Sequence, residues 1–103
     1  MTRIFLTKVA DLPPGKIKQV KVDGADDIVL ANVGGTFHAM RGLCQHQGGP
    51  LGEGELAGNV ITCPWHGAKW DVTSGKCVEF PLELEDEPTY KVIVEGDSVF
   101  VEL

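Results

Sequence analysis

The sequence has no long apolar run and little positive charge. None of its 103 residues belongs to an apolar stretch of transmembrane length, so we expect no contact with a membrane. Nine Lys and Arg residues stand against fifteen Asp and Glu residues, which gives a net charge of −6. Because a phosphate backbone is bound by a basic face, this balance argues against nucleic acid as a partner.

The cysteines are too few, and odd in number, for a disulfide framework. There are three of them, and no apolar signal segment is recognisable between Met1 and Lys21. We therefore expect a cytoplasmic protein, where clustered cysteines bind metal more often than they pair. The length suits a single domain over residues 1–103 with a modest core, which a bound metal would help to hold together.

Helical periodicity is also missing, and strand signals take its place. No segment repeats apolar residues at helical spacing over three turns. Two pairs of strand-like runs are joined by Gly-Gly and by Gly-Asp, which predicts two hairpins. The pairs are Ile28–Val33 with Thr36–Met40, and Tyr90–Glu95 with Ser98–Glu102. The pattern predicts an all-β fold, an antiparallel sandwich or barrel.

Glycine is concentrated in the middle of the chain. Residues 42–58 contain six glycines, and two more follow at 67 and 75. Such a stretch packs poorly as a strand, but it allows the backbone to approach other groups closely. We expect residues 41–80, approximately, to form a subdomain that carries a site on the β scaffold.

Two cysteines and two histidines within that stretch have the chemistry of metal ligands. Cys44 and His46 share one loop, and Cys63 and His66 share another. Together they supply the ligands of a tetrahedral zinc site, or of a two-iron cluster whose two irons have different ligands. Zinc sites usually draw their cysteines in pairs from one loop, whereas each loop here mixes one cysteine with one histidine. The mixture favours the two-iron cluster and leaves zinc as the alternative.

Both loops resemble the two sequence boxes of the Rieske family. The first reads Cys44-x-His46-Gln47-Gly48-Gly49-Pro50-Leu51. The second reads Cys63-Pro64-Trp65-His66-Gly67-Ala68-Lys69-Trp70-Asp71, followed by Thr73-x-Gly75. In order and spacing the chain is similar to stand-alone Rieske-type [2Fe-2S] ferredoxins, in particular the ferredoxin components of ring-hydroxylating dioxygenase systems.

The resemblance implies a fold, a cofactor and a function. It implies an antiparallel Rieske-type β-sandwich with a small cluster-binding subdomain formed by two loops, and one [2Fe-2S] cluster per chain. Cys44 and Cys63 would hold the inner iron, and His46 and His66 the outer iron. The chain would be an electron-transfer protein with no catalysis of its own. Its partners would be an NAD(P)H-dependent flavin reductase, as electron donor, and a terminal oxygenase, as acceptor.

Departures from another branch of the family concern the reduction potential. Quinol-linked Rieske proteins have a disulfide between the two boxes, where this chain has Gly49 and Trp65. They also have serine and tyrosine hydroxyls, which donate hydrogen bonds to a sulfide and to a ligand cysteine, where this chain has Ala68 and Trp70. Because such donors stabilise the more negative reduced state, their absence predicts a low midpoint potential, about −150 mV.

Two other functions stay open at this point. The first is a small Rieske subunit of a nitrite reductase or of another oxidoreductase complex, which would co-purify with a large partner. The second is a zinc-stabilised interaction module, which would be colourless and would contain no labile sulfide.

Four further features have an ordinary and a functional interpretation. Cys77 reads as a small core residue on a strand, and His38 as an ordinary strand side chain. Trp65 either covers its own loop or forms part of a docking face. The acidic run reads as a solvated loop, with a docking patch for a basic partner as the alternative. The run consists of Glu83, Glu85, Asp86 and Glu87, with Glu79 just before it.

Overall fold

The computed structural model describes residues 3–44, 48–65, 67–79 and 86–102. These residues form ten strands and two single-turn 3-10 helices, at Val9–Asp11 and Leu51–Glu53. Within these ranges there is no helix that is long and apolar enough to cross a bilayer. The strands are Arg3–Lys8 (β1), Ile17–Val20 (β2), Ile28–Val33 (β3), Thr36–Arg41 (β4), Glu55–Ala57 (β5), Val60–Thr62 (β6), Lys69–Asp71 (β7), Cys77–Glu79 (β8), Thr89–Glu95 (β9) and Ser98–Glu102 (β10).

The strands form two antiparallel sheets. Six strands pair in the order β1-β10-β9-β4-β3-β2, and four pair in the order β5-β6-β7-β8. Both hairpins predicted from the sequence are present, since Val33 pairs with Thr36 and Glu95 pairs with Ser98. In the first hairpin the two turn residues, Gly34 and Gly35, both have positive φ, a conformation that glycine adopts without strain. The prediction of an all-β antiparallel fold is confirmed.

Burial on both faces explains the run of four apolar residues, Ile28 to Ala31, with which strand β3 begins. Val29 and Ala31 face one core, together with Trp70 from the smaller sheet. Ile28 and Leu30 face a second core, which lies against β1 and β10. A strand covered on both faces has no solvent side, so the usual alternation of apolar and polar residues disappears.

The structure corrects one expectation about the acidic run. Glu87 was predicted to lie in a solvated loop or a docking patch, but its side chain is buried, with 2% of the residue exposed. Asp86 beside it is exposed. The side chain of Glu79 and residues Glu83 and Glu85 lie outside the described part of the chain. The composition of an acidic run does not show which of its side chains is buried in the folded protein.

Arg41 is the basic group nearest to this buried carboxyl. Its Nη1 lies 3.7 Å from Glu87 Oε1, and its Nε lies 3.1 Å from Asp26 Oδ2. Neither carboxyl oxygen of Glu87 has a hydrogen-bond partner among the described residues. Burial raises the pKa of Glu87 to about 7, while the charge of Arg41 opposes the shift and that of Asp26 adds to it.

The buried carboxyl makes stability depend on pH. The folded pKa of about 7 lies above the ordinary value of 4.5, so the folded state holds this proton more tightly than the unfolded chain. The resulting stabilisation is complete below the unfolded pKa and is lost as pH rises through about 7. Glu87→Gln stays neutral throughout. We expect the free energy of unfolding of the variant, relative to that of wild type, to increase by about 3 kcal/mol as the pH rises from about 4 to about 8.5. Urea unfolding at a series of pH values measures this difference.

Glu95→Gln is the matched control. Glu95 is an exposed carboxylate whose Oε1 lies 2.7 Å from Arg3 Nη1. Exposed ion pairs contribute little, so its difference from wild type should stay within about 0.5 kcal/mol across the same range. A Glu87→Gln profile that runs parallel to wild type would contradict the assignment of a protonated, buried Glu87.

Candidate metal centre

The first predicted ligand loop closes on itself by backbone hydrogen bonds. Cys44 is buried, with 2% of the residue exposed. Its N–H donates to the carbonyl of Gly49 at 2.8 Å, and its own carbonyl accepts the N–H of Gly48, also at 2.8 Å. Gly48 has φ +73°, which a residue with a side chain rarely adopts. The glycine is therefore needed for the loop to turn back toward the cysteine.

The second loop repeats the same closure. Cys63 is also buried, with 2% exposed. Its N–H donates to the carbonyl of Ala68 at 2.8 Å, and its carbonyl accepts the N–H of Gly67 at 3.1 Å. Gly67 has φ +76° and stands four residues after its cysteine, as Gly48 does after Cys44. Two loops of different sequence thus present their cysteines in the same local frame.

The two loops meet at a position where only glycine fits. A Cβ atom on Gly49 would lie 2.9 Å from Cys63 Sγ and 3.1 Å from Cγ of Trp65. Gly49 belongs to the first loop, because its carbonyl accepts the N–H of Cys44. The backbone of one loop therefore lies against the thiol of the other. Sequence reasoning assigned this glycine to the motif without finding the contact.

Trp65 takes part in the same contact. Its ring adjoins Gly49. Trp65 and Gly49 occupy the two positions at which quinol-linked Rieske proteins have the cysteines of their disulfide. The ring nevertheless leaves 55% of the residue exposed. Both interpretations of Trp65 are therefore compatible with its placement, since it covers the loop junction and still presents an apolar face to a partner.

The remaining predicted ligands, His46 and His66, lie outside the described residues. Their positions in the sequence are the third residue of the first loop and the fourth of the second. The structure thus places the two cysteine-bearing loops side by side, and the assignment of all four residues as ligands stays a prediction. Two buried thiols on joined loops fit the thiolate end of a two-iron cluster.

The end of the second box forms a tight turn that sequence reasoning did not resolve. Asp71 Oδ1 accepts two hydrogen bonds from Thr73, one from its backbone N–H at 2.9 Å and one from its side-chain hydroxyl at 2.6 Å. It accepts a third from the side-chain amide of Asn59 at 3.0 Å. The Thr73 hydroxyl contributes most to holding the pKa of Asp71 below its ordinary value. The spacing Asp-x-Thr-x-Gly was the available signal, because an Asp side chain commonly bonds to the backbone two residues on.

Two further side chains, Cys77 and His38, lie on strands as the sequence predicted. Cys77 lies on β8 opposite Trp70 and packs, partly buried, against the core. His38 lies on β4 opposite Ala31, as an ordinary strand residue. Cys44, Cys63 and Cys77 are not joined by a disulfide.

Comparison with known proteins identifies the family. Residues 2–92 match the Rieske [2Fe-2S] domain. The chain belongs to the Rieske [2Fe-2S] family. The match supports a [2Fe-2S] cluster as the cofactor and leaves the zinc interpretation without support.

Several individual Rieske proteins are similar over nearly the whole chain. The 3-phenylpropionate/cinnamic acid dioxygenase ferredoxin subunit of Escherichia coli (strain K12) is 36% identical, with 100% of this chain and 95% of that protein covered. The Sphingomonas yanoikuyae B1 ferredoxin is 27% identical at TM-score 0.91, covering 99% of each chain. A chain in the complex of reduced oxygenase and oxidized ferredoxin in carbazole 1,9a-dioxygenase is 31% identical at TM-score 0.90, covering 96% of this chain and 91% of that one.

These likenesses confirm three predictions. The relatives that span this chain nearly end to end are ferredoxins, which confirms the resemblance to dioxygenase ferredoxin components. Electron transfer, rather than catalysis, is the role of such subunits, as predicted here. The Rieske-type fold is confirmed by the structural likeness over 99% of the chain.

The junction of the two loops can be tested by adding one methyl group. In Gly49→Ala the new Cβ would lie 2.9 Å from Cys63 Sγ, so the two loops must separate. Overpacking of this kind costs about 1–3 kcal/mol. We expect iron and labile sulfide per chain to fall clearly below wild type when the protein is purified without air.

Gly96→Ala is the control for this variant. Gly96 lies in the turn between β9 and β10, and a Cβ there would meet nothing within 4 Å. Its φ of +60° still imposes backbone strain, so Gly96→Ala loses stability without touching the loops. Full cluster content in Gly49→Ala would show that the loops do not depend on this contact.

Proposed function

We propose that this chain carries single electrons from an NAD(P)H-dependent flavin reductase to a terminal oxygenase of the aromatic-ring dioxygenase type. The observation that carries the proposal is the pair of equivalent loops, each beginning with a buried cysteine and joined at Gly49. A site of this kind accepts and passes on an electron without transforming an organic molecule.

The ligands are assigned from the sequence boxes and from the loops that hold them. Cys44 and Cys63 hold one iron as thiolates, and His46 and His66 hold the other through imidazole nitrogen. One [2Fe-2S] cluster per chain supplies reversible one-electron chemistry, at a potential set by these ligands and their surroundings. Burial of both cysteines keeps their sulfur atoms away from water. The repeated backbone closure holds each cysteine in a fixed orientation.

The oxygenase is supported as a partner by what the relatives are. The Escherichia coli relative is a dioxygenase ferredoxin subunit, and the carbazole 1,9a-dioxygenase structure is a complex of oxygenase with ferredoxin. The reductase is assigned from the resemblance to such systems. These relatives favour a dioxygenase ferredoxin over a nitrite reductase subunit. We place the protein in the cytoplasm, where NAD(P)H is supplied and thiols stay reduced.

The surface beside Cys63 offers a face for such a partner. Trp65 is largely exposed there, next to the exposed Pro64. Glu53 and Glu55 line the same concave surface as Cys63. Two carboxylates around an apolar centre suit a partner with basic residues around an apolar patch, and the net charge of −6 would steer it.

The three histidines provide a matched test of the ligand assignment. His46→Ala and His66→Ala each remove a ligand, and we expect both to lose the cluster, seen as loss of iron, labile sulfide and the reduced-state EPR signal. His38→Ala removes an imidazole from β4, outside both boxes, and should keep all three. A normal cluster spectrum in either ligand variant would contradict the assignment.

The same variants test the place of the chain in electron transfer. With NADH, a flavin-dependent ferredoxin reductase and a dioxygenase oxygenase component, product formation should require this chain. Product formation should continue with the His38→Ala variant and stop with His46→Ala or His66→Ala. Product formed equally fast without the chain would contradict the proposed function.

A further inference from the structure

The two ligand loops differ in how they are attached to the scaffold. The second loop leaves one strand of a ladder and returns into the next, because Thr62 on β6 pairs with Lys69 on β7. The described residues of the first loop are closed by the bridge between Leu43 and Pro50 and by two backbone hydrogen bonds. The N–H of Leu51 donates to the carbonyl of Gly42 at 2.8 Å, and the N–H of Cys44 donates to that of Gly49 at 2.8 Å. A further attachment fixes this loop to the six-stranded sheet.

Gln19, in the middle of β2, supplies that attachment. Its Nε2 donates to the carbonyl of Gly42 at 2.9 Å, just before the loop. Its Oε1 accepts the N–H of Gly52 at 2.7 Å, just after the loop. One amide side chain thus bonds to both ends of the first loop and fixes them to the six-stranded sheet. A contact of 3.3 Å from Nε2 to Asp27 Oδ2 orients the amide group.

Both loop ends are glycine because Gln19 lies so close. A Cβ on Gly42 would come 2.8 Å from Gln19 Nε2 and 3.0 Å from the backbone of Ile28. A Cβ on Gly52 would meet the Cβ of Gln19 and come 2.6 Å from both its backbone N and its Oε1. Neither glycine has a positive φ, so neither is required by its backbone conformation. These glycines allow both loop ends to approach the sheet closely, and Gln19 lies at each of the two points of approach.

We infer that Gln19 is a positioning residue for the cluster, acting through the first ligand loop. The inference rests on the proposed assignment of Cys44 and His46 as ligands. By joining the residues on either side of the loop, the Gln19 amide gives the first loop the fixed spacing that the β6–β7 pairing gives the second. Loss of the amide frees the loop ends, so that the thiol of Cys44 can move relative to Cys63.

The test compares two side-chain amides, the partly buried one of Gln19 and the buried one of Asn32, which each bond to two backbone groups in different places. Gln19→Met keeps the length of the side chain and removes both hydrogen bonds. Asn32 is the matched control, since its amide donates to the carbonyl of Leu12 at 2.8 Å and accepts the N–H of Gly35 at 2.8 Å, outside both ligand loops. Asn32→Leu therefore loses two side-chain hydrogen bonds without touching either loop, as Gln19→Met loses its two bonds to the first loop in addition to the contact with Asp27.

Two measurements on the cluster-loaded protein separate positioning from general stability. The first is the rate at which visible absorbance is lost to a chelator, and the second is the line width of the reduced-state EPR signal. In Gln19→Met we expect the rate to rise about tenfold, the factor that follows from two lost hydrogen bonds, together with broader lines. Asn32→Leu should lower the midpoint of urea unfolding about as much as Gln19→Met does. It should change the rate of absorbance loss by less than about twofold and leave the EPR line width unchanged.

A second variant covers the case in which Gln19→Met does not fold. Gln19→Glu keeps the acceptor for Gly52 but sets a carboxylate oxygen against the carbonyl of Gly42 and against Asp27 Oδ2, so its rate should also exceed that of wild type. Equal rates in the Gln19 and Asn32 variants would overturn the inference. It would also be overturned if neither Gln19 variant folded while Asn32→Leu did. Absence of a cluster from wild type would instead refute the proposed function.

Discussion

The approach of Gly49 to the thiol of Cys63 is the constraint on which the site depends. Each loop alone presents one buried cysteine, and a cluster bound by cysteines from both needs the loops in contact. Because a Cβ at Gly49 would lie 2.9 Å from that sulfur, the contact exists only with glycine at this position. The repeated backbone closure, with a positive φ at Gly48 and at Gly67, then gives the two cysteines equivalent orientations.

The rest of the fold holds these two loops still. The second loop is fixed by strand pairing in the smaller sheet, and the first by Gln19 on the larger one. Strand β3 lies between the two cores, so that the sheet bearing Gln19 and the sheet bearing Trp70 share one packed interior. Movement of either loop would therefore disturb a close-packed core as well as its own hydrogen bonds.

The sequence predicted those features whose signals lie in residues that are close together along the chain. The hairpins at Gly34-Gly35 and Gly96-Asp97, and the two boxes, could be predicted because their signals are local. Contacts between distant residues could not. Gln19 meets Gly42 and Gly52 only through the fold, and Glu87 looked like one more charge in an acidic run although it is buried beside Arg41. In both cases tertiary packing decides, and no short pattern records it.

A redox titration of the purified protein, followed by EPR, tests the central claim most directly. Ala68 and Trp70 are both fully buried, and neither side chain carries a hydroxyl that could donate to the cluster. A rhombic reduced-state signal of low average g that titrates with one electron per chain near the bottom of the Rieske range, at about −150 mV, is the predicted result. The same signal at a strongly positive potential would contradict a low-potential carrier. It would direct attention to the Trp70 indole N–H, a buried donor with no partner among the described residues.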